Sequence, residues 1–365
     1  IRDRLTSVQL SKYLNILTID TYSDTVAFET LYDLLVFRAL KHLNQINGME
    51  QKPIVDFQLR DESLFSEVGQ FVQLNIDHSD STDTWFLAIN LYQRILSAHL
   101  GKGNRGLVIF DLHRLKFLSQ NHLSVNRNAL YLGALRQLRM KYADSPYSTF
   151  IVHELATAIM GQELESGYVD AHALCTEALA THSESLGADQ CRALINKIEQ
   201  KSLSVECEEV VLPNESILTK INYRNVPKVY GKLIRLTLED RHAWQHLEMK
   251  DQIAFFLGKP IVEEFSADLP ATDDFKTHSA EWLISGQSTG YYVLLFGTSE
   301  SMDIDNNAVT AQQFFVSNLA FSQISQPERS PSYFVFDRGS GLPMEGAQIT
   351  YYKSVYDRSS RRSHM

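Results

Sequence analysis

The chain has 365 residues, enough for two or three domains, and with 44% hydrophobic and 10% aromatic residues it has ample material for buried cores. Its formal charge of -10, from 44 acidic against 34 basic side chains, argues against phosphate backbones and anionic membrane surfaces as partners. No uninterrupted apolar run reaches membrane-spanning length, so neither a transmembrane helix nor a signal peptide is read within the chain; a signal removed upstream is left open.

From Leu5 to about Lys201 apolar residues recur at intervals of three and four, the helical period. Ser23-Asp24-Thr25 reads as an N-cap cluster, followed by Phe28, Leu31, Leu35, Ala39 and Leu43 on one face. Asp83-Thr84 likewise precedes Trp85, Ile89, Tyr92, Leu96 and Leu100. Further helices are expected over Gly106–Gln120, Arg127–Tyr142, Ser148–Glu163, Val169–Thr181 and Asp189–Lys201. Short, breaker-rich connections such as Ala143-Asp144-Ser145-Pro146 make neighbouring helices antiparallel. Thr149–Glu163, the Gly167-Tyr168 turn and Ala171–Leu179 resemble a degenerate tetratricopeptide-type hairpin. Residues 1–201 are therefore expected to form an α-helical, solenoid-like domain of the kind that serves as a scaffold or docking surface.

Beyond Lys201 the period changes to two. Leu203–Val211 alternates and stops at Pro213-Asn214; Ile217–Tyr223 and Val229–Leu238 follow. Glu239–Gly258 is charged and mixed, and reads as one short helix or a wide loop. Strands resume at Ile261–Ala267, His278–Ser285, Tyr291–Gly297 and Gln313–Gln323. These fit an antiparallel β-sandwich over 202–326, closed by the linker Ser325–Pro331. Tyr333–Phe336 and Gln348–Tyr352, separated by a Gly/Pro turn, then read as the first strands of a further sandwich over 332–365. With only 13 residues left after Tyr352, the chain is expected to be a piece of a longer protein. Arg358 to Arg362 reads as a solvated tail.

Four fragments look catalytic in isolation. His153-Glu154-Leu155-Ala156-Thr157 lacks the second histidine that a zinc helix needs one turn later. Gly101–Gly106 matches G-x-G-x-x-G but follows a helix, where dinucleotide binding needs a strand. Gly286-Gln287-Ser288-Thr289-Gly290 matches G-x-S-x-G but runs into a strand, so it reads as a hairpin turn. Asp303–Asn307 is rich in oxygen donors, yet Ala308 and Phe314 stand where a calcium loop needs Gly and Glu. No catalytic, cofactor-binding or metal-ligating residue is assigned, and no enzyme activity or cofactor is expected. The cysteines, Cys175, Cys191 and Cys207, are odd in number and match no zinc spacing; one disulfide is open to them.

The segment from Phe334 to Ala347, with Val335, Asp337, Ser340, Gly341, Pro343, Gly346 and Ala347, resembles the V-x-D-x-x-T-G-x-P-x-x-G-A-x-V motif that opens macroglobulin-type domains of bacterial alpha-2-macroglobulins. Ser340 stands for the usual Thr and Ile349 for the usual Val. Gly290–Leu295 and Phe315–Leu319 are similar to strands of the same family, and Asp24–Ala27 and Tyr32–Leu35 to the N-terminal region of its large envelope members from Bacteroides-like bacteria. The resemblance implies a broad-spectrum protease inhibitor of the periplasm or cell envelope, lipid-anchored in its full-length form. Its partners would be proteases, trapped after cleavage of a bait region, and this chain would be the N-terminal scaffold. The family's C-x-E-Q thioester is not carried over, because Cys207-Glu208-Glu209-Val210 lacks the Gln. The alternative is an envelope binding module whose helical repeats dock a protein or a polysaccharide.

Overall fold

A computed structural model describes residues 5–13, 15, 17, 28–49, 57–102, 105–162, 164–305, 307–324, 331–350, 355–357 and 362–364. Helices fill the N-terminal half and β-sheets the C-terminal half, and the chain divides into two compact units, Ile1–Glu199 and Gln200–Met365.

In the first unit, helix α1 (Leu31–Met49) starts at a reciprocal cap. The Thr30 backbone N–H donates to Asp33 Oδ2 at 3.0 Å, and the Asp33 N–H donates to Thr30 Oγ1 at 3.2 Å. The expected cap at Ser23-Asp24-Thr25 lies outside the described residues. The buried stripe of α1 is Leu34, Val36 and Leu40, whereas Leu35, expected on it, is 44% exposed. Phe28 precedes the helix and does not share its phase, so counting from it puts the stripe one position out.

A short turn of 3-10 helix (Glu62–Phe65) and α2 (Val68–Phe71), neither expected from the sequence, bury Leu64, Phe65, Val68 and Phe71. They are held by Arg114, whose guanidinium donates to the carbonyls of Leu64 and Ser66, pairs with Asp111, and lies 4.3 Å over the Phe71 ring. All four backbone and side-chain acceptors are thus gathered by one buried cation, which keeps its charge satisfied.

Helix α3 (Thr84–His99) is capped by Asp83, whose Oδ1 accepts from the N–H groups of Trp85 and Phe86 at 2.8 and 3.1 Å. Ile89, Tyr92 and Leu96 are buried as expected, but Leu100 follows the helix end and is exposed. Helices α4 (Arg105–Asn121), α5 (Arg127–Lys141), α6 (Ser148–Met160), α7 (Gly167–His182) and α8 (Ala188–Glu199) fall where the 3.6-residue period places them, with ends within three residues of expectation. Each packs on the next, and α6 also touches α4 and α8.

The second unit holds two sheets over one apolar core. Strands β1 (Ser202–Cys207), β3 (Ile217–Arg224) and β6 (His278–Ile284) make a three-stranded antiparallel sheet in the order β1-β3-β6. The other sheet runs β2-β8-β7-β4-β5, built from β2 (Val210–Val211), β4 (Lys228–Leu236), β5 (Ile261–Asp268), β7 (Gly290–Gly297) and β8 (Val309–Val316). Val205, Ile221 and Tyr223 of the first sheet meet Val229, Leu233, Leu294, Phe296 and Phe314 of the second.

Three expectations need correction here. Leu203–Val211 is not one strand: the adjacent Glu208 and Glu209 interrupt the alternation, and β1 and β2 enter different sheets. The sheet is not wholly antiparallel, since β2 pairs with β8 in parallel, Val210 facing Phe315. Residues 239–258 form two helices, α9 (Leu238–Trp244) and α10 (Met249–Leu257). α9 begins at a second reciprocal cap, between Thr237 and Asp240, and the Lys259 ammonium sits 2.6 Å from Asp240. Ile253 and Phe256 of α10 cover the outer face of the five-stranded sheet against Ile234, Tyr291, Val293 and Leu295. Strand β7 is therefore buried on both faces, which is why Tyr291–Phe296 is apolar without alternation.

Gln313–Gln323 is likewise two strands. After β8 the chain turns at Ser317-Asn318, and β9 (Leu319–Ile324) leaves the sheet to pair antiparallel with β10 (Ser332–Asp337). The partner of Tyr333–Phe336 is thus β9, not the expected strand at 348–352; residues 348–350 are not strand, and 351 and 352 lie outside the described residues. Linker residues 325–330 lie outside them too. In the region read as a tail, β11 (Val355–Asp357) pairs with β12 (Arg362–His364).

Candidate functional site

The structure places each of the four chemistry-like fragments in a setting that uses its polar groups for other purposes. Glu154, on α6, accepts from the Tyr131 hydroxyl at 2.6 Å and from Lys116 Nζ at 3.3 Å, so its carboxylate ties α6 to α5 and α4. Thr157, where a second ligand would stand, donates to the His153 carbonyl at 2.8 Å. Burial lowers the pKa of the His153 imidazole. Among the described residues no group of three or more His, Cys, Asp or Glu is placed to hold a metal ion.

Gly101 and Gly106 lie between α3 and α4, so a helix precedes the glycines; Gly103 and Asn104 fall outside the described residues. A Cβ on Gly106 would come 2.6 Å from His99 Cε1, so this glycine lets α4 approach the His99 ring. His99 in turn bonds Asp33 at 2.9 Å, joining α3 to α1 inside the core. Burial raises the pKa of Asp33, but the hydrogen bond and charge of His99 outweigh it and hold the carboxyl below its ordinary value.

The 286–290 fragment is followed by a strand, as expected, but it is not a hairpin turn. It carries the chain from β6 in one sheet to β7 in the other. Ser288 is used locally: its carbonyl accepts from the Tyr292 hydroxyl at 2.9 Å. Gly286 is required by close approach, since a Cβ there would lie 2.4 Å from the Asn214 carbonyl carbon, and Asn214 N–H donates to the Gln287 carbonyl at 2.9 Å. The acidic loop at 303–307 closes the β7–β8 connection: Asp303 accepts from the Asp305 N–H at 3.1 Å and Asn307 accepts from the Thr298 hydroxyl at 3.2 Å. Cys207 ends β1, and burial followed by the Glu208 charge pushes its thiol up to about 11, the opposite of an activated nucleophile.

What the sequence reading missed is a groove made by the helical stack. Arg136, Arg139 and Met140 of α5 form one wall, Leu155 and Ile159 of α6 the floor, and Asp170, Leu174 and Glu177 of α7 the other wall. Arg139 and Glu177 bridge the walls at 2.8 Å. Met140, 72% exposed on an otherwise polar helix face, is the one sequence signal that could have pointed there. A second cleft, beside Arg114, is lined by Ser66, Glu67, Gln137 and Lys141. The Glu67 carboxylate bonds Lys141 and raises its pKa. Both clefts combine apolar floors with mixed charges, an arrangement suited to contact with another polypeptide rather than to chemistry.

No family profile matches the chain, and no curated protein matches it. Among solved structures, 40% of the chain aligns with 48% of a native alpha-2-macroglobulin from Escherichia coli spanning domains MG0-NIE-MG1, at 17% identity and a TM-score of 0.29. The match thus spans about half the length of that macroglobulin chain. A CARDB domain from Pyrococcus furiosus, in complex with di-metal ions, aligns over 87% of its length with 32% of this chain, at 12% identity and a TM-score of 0.19. An alkylpurine DNA glycosylase from Pseudomonas fluorescens, bound to DNA containing an abasic site analog, covers 84% of this chain and 85% of its own, at 10% identity and a TM-score of 0.19. At these identities and scores the likenesses are remote.

Proposed function

We propose that the chain is a non-catalytic scaffold region of a macroglobulin-like, broad-spectrum protease inhibitor, a protease trap of the periplasm or cell envelope. The observation that carries this reading is the turn between Asp337 and Gly346, where the residue types of the macroglobulin motif each have a physical task. Asp337 Oδ1 accepts from the Ser340 N–H at 2.8 Å and its hydroxyl at 2.7 Å, a bond the Thr of the motif would make equally. Gly341 and Gly346 both take φ 71°, a conformation that favours glycine. Pro343 lies opposite Phe336, and the Asp337 N–H donates to the Leu342 carbonyl at 2.9 Å. The two sheets before this turn and the helical stack before them supply framework without a reactive constellation. Buried positions in the stack recur forty residues apart, Leu135 with Cys175, Leu138 with Ala178 and Ile151 with Cys191, which supports a solenoid-like, repeat-built domain. Proteases would be met through the whole protein, by a bait segment outside residues 1–365, with a lipid anchor upstream as its membrane attachment.

The test is to mix the protein encoded by the complete gene with trypsin-like and elastase-like proteases. Cleavage at one defined segment, together with loss of protease activity on large protein substrates, is expected. Undiminished activity with no defined cleavage defeats the trap reading. The groove between α5 and α7 favours a second reading, an envelope binding module that docks a protein or polysaccharide on its helices. A screen of envelope proteins and glycans against the whole chain should then find saturable binding that Met140→Glu abolishes.

A further inference from the structure

Cys175 and Cys191 sit on facing sides of α7 and α8, and both are 0% exposed. The Cys175 thiol hydrogen-bonds the Cys191 sulfur, and Cys191 Sγ donates to the Thr149 carbonyl at 3.4 Å. Ala171 and Ala178 of α7 and Ala188 of α8 are buried beside them, so small side chains let the two helix backbones approach closely. Both sulfurs are free thiols here, and neither serves any site described above.

We propose that Cys175 and Cys191 are a disulfide site, closed when the chain folds in the presence of a thiol-oxidising disulfide donor such as glutathione disulfide or a dithiol oxidoreductase. One cysteine thiolate attacks the donor disulfide, forming a mixed disulfide and releasing one donor thiol. The other thiolate attacks the protein sulfur of that intermediate, the S–S bond forms, and the second donor thiol leaves. The protein gives up two protons and two electrons, and the donor disulfide is reduced to two thiols. Full burial of both sulfurs in the folded unit requires the exchange to occur before α8 docks on α7, and afterwards shields the bond from reductant. The bond would tie the last helix of the unit to its neighbour, closing a loop of about 15 residues, which restricts the unfolded chain. Cys207 lies on β1 in the other unit and provides an internal control. The inference does not depend on the protease-trap reading.

The 365-residue chain is refolded from denaturant in a mixture of reduced and oxidised glutathione, alkylated under denaturing conditions, and mapped by peptide mass. The expected result is a linked pair of peptides carrying Cys175 and Cys191, two hydrogens lighter than their sum, with Cys207 alkylated. Melting of the helical unit should rise by several degrees relative to protein refolded in dithiothreitol, and Cys191→Ala, if folded by circular dichroism, should lose that redox-dependent rise. Alkylation of all three cysteines, a link through Cys207, or a redox-dependent rise that survives in Cys191→Ala overturns the proposal.

Discussion

The guanidinium of Arg338, in the turn after β10, donates to the backbone carbonyl of Val210 at 3.0 Å, across 128 residues of sequence. The Arg338 N–H also donates to the Asn318 carbonyl. One residue therefore ties the β9–β10 ribbon to β2, and through the parallel β2–β8 pair to the five-stranded sheet. A two-stranded ribbon is marginal in water by itself, so such an anchor matters more here than a surface contact usually does. Arg338→Ala should speed amide exchange in β9 and β10 several-fold and leave β4 and β7 unchanged. Equal rates in the two proteins would show that β9 holds the ribbon without the anchor.

Asp33 has two tasks: it caps α1 through the Thr30 N–H and accepts the buried hydrogen bond from His99. Asp33→Ala removes both and leaves the His99 ring buried without this partner, a loss of about 3 kcal/mol. Asp33→Asn retains an oxygen for either task and should cost less than half as much. Urea unfolding of the two variants measures the difference, and equal losses would mean that only the charge of Asp33 matters.

His113 sets a pH dependence in the helical unit. Its Nδ1 meets the Tyr92 hydroxyl at 2.5 Å, and burial, helped by the Lys116 charge against that of Glu154, lowers its pKa to about 4. Because this lies below the ordinary value of 6.5, the unfolded chain takes up the proton first as pH falls. The stability tied to neutral His113 is thus fully present above pH 6.5 and is lost as pH falls towards 4, by about 3 kcal/mol in all. Asp33, whose pKa is lowered from 3.8, loses its contribution only below that window. Urea midpoints followed from pH 7 to 4 should fall in the wild type and stay flatter in His113→Gln; parallel curves would remove His113 as the cause.

Local signals were legible in the sequence wherever a cap or a period acts over one element. Asp83 precedes an apolar helix and caps it, and α4 to α8 follow from spacing alone. Thr30 and Asp33 form the same kind of cap at α1 but were obscured by the denser Ser23-Asp24-Thr25 cluster upstream. The apolar run of β7 read correctly as a strand, and its lack of alternation also implied cover on both faces; that cover, α9 and α10, was hidden by short length and charge. Pairings between distant segments left no local trace. The Glu208-Glu209 break is visible, but nothing nearby says that Val210 will lie beside Phe315. The α5–α7 groove exists only once three helices are stacked, so of its residues Met140 alone looked out of place.

Gly231 and Phe265 offer the sharpest test of how the five-stranded sheet is packed. They face each other across β4 and β5, and the Phe265 ring lies over the glycine so closely that a Cβ there would be 1.9 Å from its Cε2. The same ring meets Trp282 at 5.1 Å and Phe296 at 5.3 Å, so it cannot move aside without breaking contacts to both sheets. Gly231→Ala should therefore destabilise the second unit by about 2 kcal/mol through overpacking, although alanine suits a strand better than glycine. In a Phe265→Ala background the obstruction is gone, and the same substitution should be neutral or slightly stabilising. The double-mutant cycle then gives a coupling of about 2 kcal/mol, the size expected for residues in direct contact. Additive effects would mean that the ring turns away freely and that the glycine is held for another reason.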